Sequence, residues 1–120
     1  MTGQNEQEEA LSERGVLIAA EAGIDIRSAA DVAEVIGACC SSEGLTLGER
    51  ELGPEFFDLR SGLAGELFQK VTTYHLRLAI VLPDPGRYGE RFGELAYEHR
   101  RHHGIRFFRT EGEARAWLAA

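Results

Sequence analysis

The chain lacks any apolar run approaching the roughly 20 residues that a membrane-spanning helix needs, so no membrane-spanning segment is predicted. Its N-terminal stretch, MTGQNEQEEALSE, carries four glutamates and no basic residue. A secretory signal peptide needs a basic start followed by an apolar segment, and this stretch has neither. We therefore expect a cytoplasmic protein that does not associate with membranes.

Cysteine is scarce as well. Cys39 and Cys40 are adjacent, and adjacent cysteines rarely satisfy disulfide geometry; without a second, spaced pair they also make no standard zinc site.

The histidines within 99–103 have helical spacing, but the last of them precedes Gly104, where the helix should end. Their rings therefore need not converge, and the sequence predicts no metal site and no cofactor.

Sequence signatures of common enzyme classes are missing too. SGLAG does not fit the Gly-x-Ser-x-Gly nucleophile elbow of serine hydrolases. Neither a Walker motif nor a dinucleotide-binding glycine fingerprint is present. No catalytic residue is assigned, and whether the chain is an enzyme stays open.

The charge is unevenly distributed. Twenty acidic residues against 13 basic ones give a net charge of −7, and an acidic chain repels phosphate backbones, so no nucleic-acid partner is expected. Residues 87–109 nevertheless hold six arginines against three glutamates. This segment is either a basic stripe that meets an anion or acidic partner, or a solvated helix face with Glu/Arg pairs.

At 120 residues the chain is long enough for one hydrophobic core. We expect an acidic, flexible N-terminus over 1–12 and a single α/β domain over 13–120. Apolar runs and helical periodicity predict strands at 15–20, 24–26, 45–47, 76–83 and 105–108, and helices at 29–41, from 61, from 88 to 99 and after 110. Strands that alternate with helices favour a mixed or parallel sheet packed by helices.

The segment FFDLRSGLAG (56–65) stands out because two glycines open a predicted helix, each at a cost of about 1 kcal/mol relative to alanine. A helix N-terminus offers free N–H groups and a positive dipole end, which suit an anion. Arg60 can bind a carboxylate or phosphate in a bidentate manner. The same turn can also be interpreted as purely structural, and we call this the internal reading. In it Asp58 and Ser61 cap the helix, Arg60 pairs with a carboxylate, and the glycines allow the helix to pack tightly on the sheet.

The segments FFDLRSGLAGELFQKVTTYHLRLAIVLP and EARAWL resemble a bacterial family of domains of unknown function, number 4180. The resemblance extends from about Val16 to Leu118 and implies no particular activity. More distantly, RSGLAG is similar to the Ser-Ser-Gly-Leu-Gly turn of STAS domains, the fold of anti-sigma-factor antagonists. That likeness implies a STAS-like mixed β-sheet packed by about four helices, with Ser61 at a position that a partner kinase phosphorylates.

These features together predict a regulatory, protein-interaction domain that uses the turn and helix N-terminus at 58–66 as its contact surface. The expected partners are another protein or a second copy of the chain, with a small anionic ligand as a further possibility. Arg87 and Arg91 of the third helix are expected to contribute. The predicted binding residues are Asp58, Arg60, Ser61, Gly62 and Glu66.

An alternative from another class is a small ligand-binding protein or enzyme. Its pocket would lie near Phe57, Arg60, Glu66 and Tyr74. Titratable groups that converge on an apolar cleft are the usual sign of such a site, and the sequence does not show whether they converge.

Overall fold

The computed structural model describes residues 15–39 and 42–120, so the expectations for 1–12 and for Cys40 fall outside it. The strands are β1 (Val16–Ile18), β2 (Gly44–Gly48), β3 (Leu78–Val81) and β4 (Ile105–Phe108). The helices are α1 (Ala19–Ala22), α2 (Ala29–Cys39), α3 (Pro54–Phe57), α4 (Leu63–Thr73), α5 (Glu90–Glu98) and α6 (Glu111–Ala119). Short 3₁₀ turns occupy Glu49–Glu51, Leu59–Ser61 and Pro85–Tyr88.

The four strands form one sheet in the order β1-β2-β3-β4, and every neighbouring pair is parallel. Leu17 pairs with Leu45, Thr46 with Ala79, and Ile80 with Phe107. The predicted α/β class is therefore confirmed, and four of the described helices have nine or more residues. Because the described strands all run the same way, the parallel alternative is observed, and the mixed sheet implied by the STAS likeness is not.

The two faces of the sheet are covered unequally. Parallel neighbours in sequence order need crossover connections that are nearly always right-handed, which places the connecting helices on one face. Accordingly α2, α4 and α5 share one large core with strand residues such as Leu45 and Ile80. On the opposite face Val16, Ile18 and Ala79 pack against α6.

Two sequence predictions near the N-terminus need correction. The apolar run at 15–20 is a strand only over Val16–Ile18, after which α1 begins. The predicted strand at 24–26 is absent from the described sheet, because Ile26 forms only an isolated bridge with Leu52. Ile26 is fully buried, so the alternating pattern there reflects packing into the core. The predicted strands at 45–47, 76–83 and 105–108 are confirmed, with small differences at their ends.

None of the described helices is long and apolar enough to cross a membrane.

Candidate functional site

The chain turns sharply between α3 and α4, in the segment that the sequence marks as unusual. Pro54 begins α3, a position where its missing N–H and fixed φ are favourable. Asp58 follows α3, and its Oδ1 accepts a 3.1 Å hydrogen bond from the backbone N–H of Arg60. Gly62 has a φ of 79°, a left-handed conformation that glycine adopts without steric cost. Backbone geometry thus accounts for much of the composition of this turn.

Two hydrogen bonds of the Ser61 hydroxyl connect α3 to the start of α4. The hydroxyl donates a 2.6 Å hydrogen bond to the carbonyl oxygen of Glu55 in α3. The hydroxyl oxygen of Ser61 also accepts a 3.2 Å hydrogen bond from the N–H of Leu63, the first residue of α4. The capping expected of Asp58 and Ser61 is thus only partly seen: Asp58 caps the 3₁₀ turn Leu59–Ser61, Ser61 accepts the first N–H of α4, and Gly62, the N-cap of α4, has no side-chain cap.

Arg60 pairs with a carboxylate, as the internal reading expects, but the pair is exposed to solvent. Its side chain is 93% exposed, and its Nε lies 3.6 Å from Oδ1 of Asp58, itself 51% exposed. Exposed ion pairs of this kind contribute about 0–1 kcal/mol. The guanidinium group of Arg60 is thus held only loosely and can contact a second carboxylate or phosphate.

An open cavity of about 810 Å³ lies beside this turn, between it and the beginning of α5. We call it the aromatic groove. Its lining residues come from α3, from the turn and from the start of α5: Pro54, Phe57, Asp58, Leu59, Arg60, Tyr88, Gly89, Glu90, Arg91 and Phe92.

Three aromatic rings form the apolar part of the groove. Phe57 stacks on Tyr88 with a centroid distance of 3.7 Å and an interplanar angle of 8°. Phe92 meets both edge-on, at 5.2 Å from Phe57 and 6.0 Å from Tyr88. Phe92 is buried in the core, so the ring cluster is anchored and offers a preformed apolar surface.

Tyr88 is also fixed by its hydroxyl, which donates a hydrogen bond to Oε2 of Glu49. Glu49 follows β2, and Tyr88 ends the turn that follows β3. The contact therefore joins the carboxyl ends of two neighbouring parallel strands. Burial raises the pKa of Tyr88, and the hydrogen bond to Glu49 and the charge of that carboxylate raise it further. The phenol is neutral at pH 7 and serves as a donor.

The groove continues along α5. Gly89, with a φ of 115°, leads the chain into this helix, and the side chains of Glu90 and Arg91 are exposed at the rim. A second cavity of about 490 Å³ shares three residues with the first and is lined by Leu59, Glu90, Arg91, Glu94, Leu95 and Glu98. Within 15–39 and 42–120, the three glutamates of this set form no ion pair.

The structure brings some of the predicted binding residues to the groove and leaves others outside. Asp58 and Arg60 line it, whereas Ser61, Gly62 and Glu66 do not. Ser61 and Gly62 are exposed beside it, and Glu66 lies in the first turn of α4. The turn therefore forms one wall of the groove.

The predicted alternative pocket is only partly assembled. Phe57 and Arg60 line the groove, but Glu66 and Tyr74 do not. Tyr74 follows the last residue of α4 and is 56% exposed. The 11-residue helix carries it roughly 16 Å along its axis from the turn, so these four side chains do not form one pocket.

The opposite wall of the groove does not follow from the sequence. The helix expected from 88 to 99 includes Tyr88 and Phe92, but no local pattern indicates their contact with Phe57 or a role for Glu49. Of the two arginines expected from the third helix, Arg91 lines the groove and Arg87 does not. The four-residue spacing of Tyr88 and Phe92 was visible, but their pairing with Phe57 depends on contacts between residues over 30 positions apart.

The histidines come closer together than their spacing suggested. The ring centroids of His99 and His102 are 5.2 Å apart, and those of His102 and His103 are 4.5 Å apart. Even so, no group of three or more His, Cys, Asp or Glu residues in the described part of the chain could hold a metal ion.

Comparison with known proteins bears on the identity of the chain as a whole. No curated protein and no solved structure matches it at a significant level, so the likeness to STAS domains stays an expectation. Residues 11–118 of the 120 match a family described as a domain of unknown function, DUF4180. Because the match covers nearly the whole chain, the protein belongs to the DUF4180 family.

Proposed function

We propose that this chain is a cytoplasmic regulatory domain that binds another protein through the aromatic groove. The partner segment would carry an acidic or phosphorylated residue next to an apolar one. The observation that supports this most strongly is the 93% exposed side chain of Arg60 at the rim of a groove whose floor is aromatic.

The charged part of the proposed contact is Arg60, joined by Arg91. Arginine presents a planar fork of N–H donors that matches carboxylate and phosphate oxygens. Asp58 already accepts the backbone N–H of Arg60 and is a loose partner for its side chain. An incoming anion can therefore bind the guanidinium group without breaking a buried contact.

The apolar part of the proposed contact is the pair of stacked rings, Phe57 and Tyr88. Aromatic and arginine side chains are enriched at the energetic centres of protein interfaces. The hydrogen bond from Tyr88 to Glu49 and the burial of Phe92 hold these rings in place. Little conformational entropy is then lost when a partner covers them.

The second cavity extends the proposed contact. A segment that runs along α5 from Arg60 and Arg91 reaches Glu94 and Glu98 one to two turns later. We expect such a segment to carry its acidic group at the Arg60 end and a basic group at the Glu98 end. The order of the charges would fix the direction in which the segment binds.

A small anionic ligand is the second candidate, and the size of the aromatic groove favours it. Its volume of about 810 Å³ falls within the roughly 300–1,000 Å³ of small-molecule sites. Phe57 and Tyr88 would then hold a planar ring, and Arg60 would bind a carboxylate or phosphate. An enzyme at this site would draw its titratable groups from those that line the groove: Asp58, Arg60, Tyr88, Glu90 and Arg91.

Native mass spectrometry of protein purified gently from its own cells tests the proposal. We expect wild type to retain a partner protein that Arg60→Ala loses. Arg101→Ala is the matched control, because this exposed arginine lies beyond the end of α5 and away from the groove. A bound small molecule in place of a protein would favour the second candidate, and equal retention by all three proteins would contradict both.

A further inference from the structure

His102 lies in the bend between α5 and β4, outside the aromatic groove. Its Nδ1 accepts two backbone hydrogen bonds, from the N–H of Gly104 and from the N–H of Ile105, each 3.0 Å long. Ile105 is the first residue of β4, so this ring atom holds the start of a strand at the edge of the sheet. A ring nitrogen that accepts hydrogen bonds carries no proton, and the imidazole is therefore neutral with its proton on Nε2.

The surroundings of His102 oppose protonation. The ring of His103 stacks on it at 4.5 Å, the ring of His99 lies at 5.2 Å, and Nε of Arg106 donates to its carbonyl oxygen. Burial lowers the pKa of His102, and the charges of His103, His99 and Arg106 lower it further. No carboxylate is among the groups that shift it.

We propose that His102 makes the fold acid-sensitive by holding the start of β4 only while its imidazole is neutral. A proton that binds Nδ1 takes the lone pair that the N–H groups of Gly104 and Ile105 share. Both N–H groups must then turn to water, and the edge strand loosens at its first residue. Phe107 of the same strand contacts Phe92, so the loosening reaches the main core.

The direction in which pH changes the stability follows from the linkage between proton binding and folding. A pKa lowered in the folded state means that the unfolded chain takes up the proton first as the pH falls. The stabilising contribution is therefore complete above the ordinary histidine value near 6.5 and is lost as the pH falls through the folded value. Within that window the unfolding equilibrium constant rises by up to about tenfold for each pH unit.

Urea unfolding between pH 7.5 and 5.0 tests this inference in wild type and His102→Asn. An asparagine Oδ1 accepts a backbone N–H two residues on, as in an Asx turn, and does not titrate. We expect His102→Asn to keep most of the stability at pH 7.5 and to show a smaller loss at pH 5.0 than wild type. His75→Asn is the matched control, since His75 is exposed and has a φ of 56°, which asparagine tolerates.

The same loss of stability in wild type and His102→Asn would overturn the inference, as would an equal reduction in His75→Asn. If His102→Asn does not fold at pH 7.5, an NMR titration of the wild-type imidazole decides. A proton on Nε2 and a midpoint below 6.5, with the amides of Gly104 and Ile105 shifting together, would support the inference. An ordinary midpoint, or a proton on Nδ1, would overturn it.

Discussion

The hydroxyl of Ser61 donates a 2.6 Å hydrogen bond to the carbonyl oxygen of Glu55, six residues earlier in the chain. The hydroxyl oxygen of Ser61 also accepts a 3.2 Å bond from the N–H of Leu63. The two bonds connect α3 to the start of α4, and Arg60 lies in the 3₁₀ turn between these helices. We therefore expect a change at Ser61 to alter the position of Arg60 at the proposed binding surface.

Ser61→Ala should lower the free energy of unfolding by about 1–2 kcal/mol, because the N–H of Leu63 and the carbonyl of Glu55 each lose a partner. Urea unfolding measures this change. Thr73→Ala is a suitable control, since Thr73 is exposed at the end of α4 and its replacement should stay within about 0.5 kcal/mol. Equal stability of wild type and Ser61→Ala would contradict the capping role.

Ser61→Asp places a carboxylate, which cannot donate, against the carbonyl oxygen of Glu55. We expect this variant to reopen the turn and to change the affinity for the partner, as phosphorylation of Ser61 would. Equal binding by wild type and Ser61→Asp in a titration would remove the idea that Ser61 is a switch.

Arg60→Ala and Arg77→Ala should separate binding from stability. Arg60 is 93% exposed, so its loss should leave the melting temperature almost unchanged while partner binding falls by about tenfold or more. Arg77 lies over the ring of Trp117 and donates hydrogen bonds to the carbonyl oxygens of Trp117 and Leu118. Arg77→Ala should lower the melting temperature by several degrees; a similar fall in Arg60→Ala would assign Arg60 to the fold.

Gly44→Ala tests the packing of α6 against the sheet. A Cβ at Gly44 would lie 2.7 Å from Cδ2 of Leu118 and 3.1 Å from the carbonyl oxygen of Arg77. We expect a loss of about 1–3 kcal/mol from overpacking. Gly37→Ala is the control, because it lies in α2 and, apart from its own helix backbone and chain neighbours, nothing lies within 4 Å of the added methyl; there a gain of about 0.5–1 kcal/mol is expected. A neutral Gly44→Ala would show that α6 is not held this closely.

The titration of the Tyr88 phenol at high pH tests its surroundings in the groove. Its pKa is raised above the ordinary value of 10.0, so the neutral phenol stabilises the folded state. That contribution is complete below pH 10 and is lost as the pH rises through the folded value. Ultraviolet titration should show a component with a midpoint above 10 that is missing from Tyr88→Phe. If the component lost in Tyr88→Phe has an ordinary midpoint near 10.0, the result would contradict the assigned hydrogen bond to Glu49.

The sequence predicted the elements better than the site, for physical reasons. Helical periodicity located the four longer helices, and short, largely apolar runs located β3 and β4, because these patterns follow from burial in the core. The strand expected at 24–26 is absent from the described sheet. Alternating apolar residues such as Ile24 and Ile26 also occur where a segment packs into the core without pairing as a strand. Local chemistry identified Asp58 as a capping residue, although it caps the 3₁₀ turn and not α4; its hydrogen bond spans only two residues. The contact between Tyr88 and Glu49 spans 39 residues and depends on the register of parallel strands.

The most direct test of the proposed recognition surface is a ¹⁵N NMR titration with a short peptide that carries one phosphoserine among glutamates and an aromatic residue. We predict shifts concentrated at the amides of 57–62 and 88–92, an affinity lower by about tenfold or more in Arg60→Ala, and no such loss in Arg101→Ala. Shifts confined to the basic segment 100–109, or equal binding by wild type and Arg60→Ala, would contradict the claim that the aromatic groove is the recognition surface.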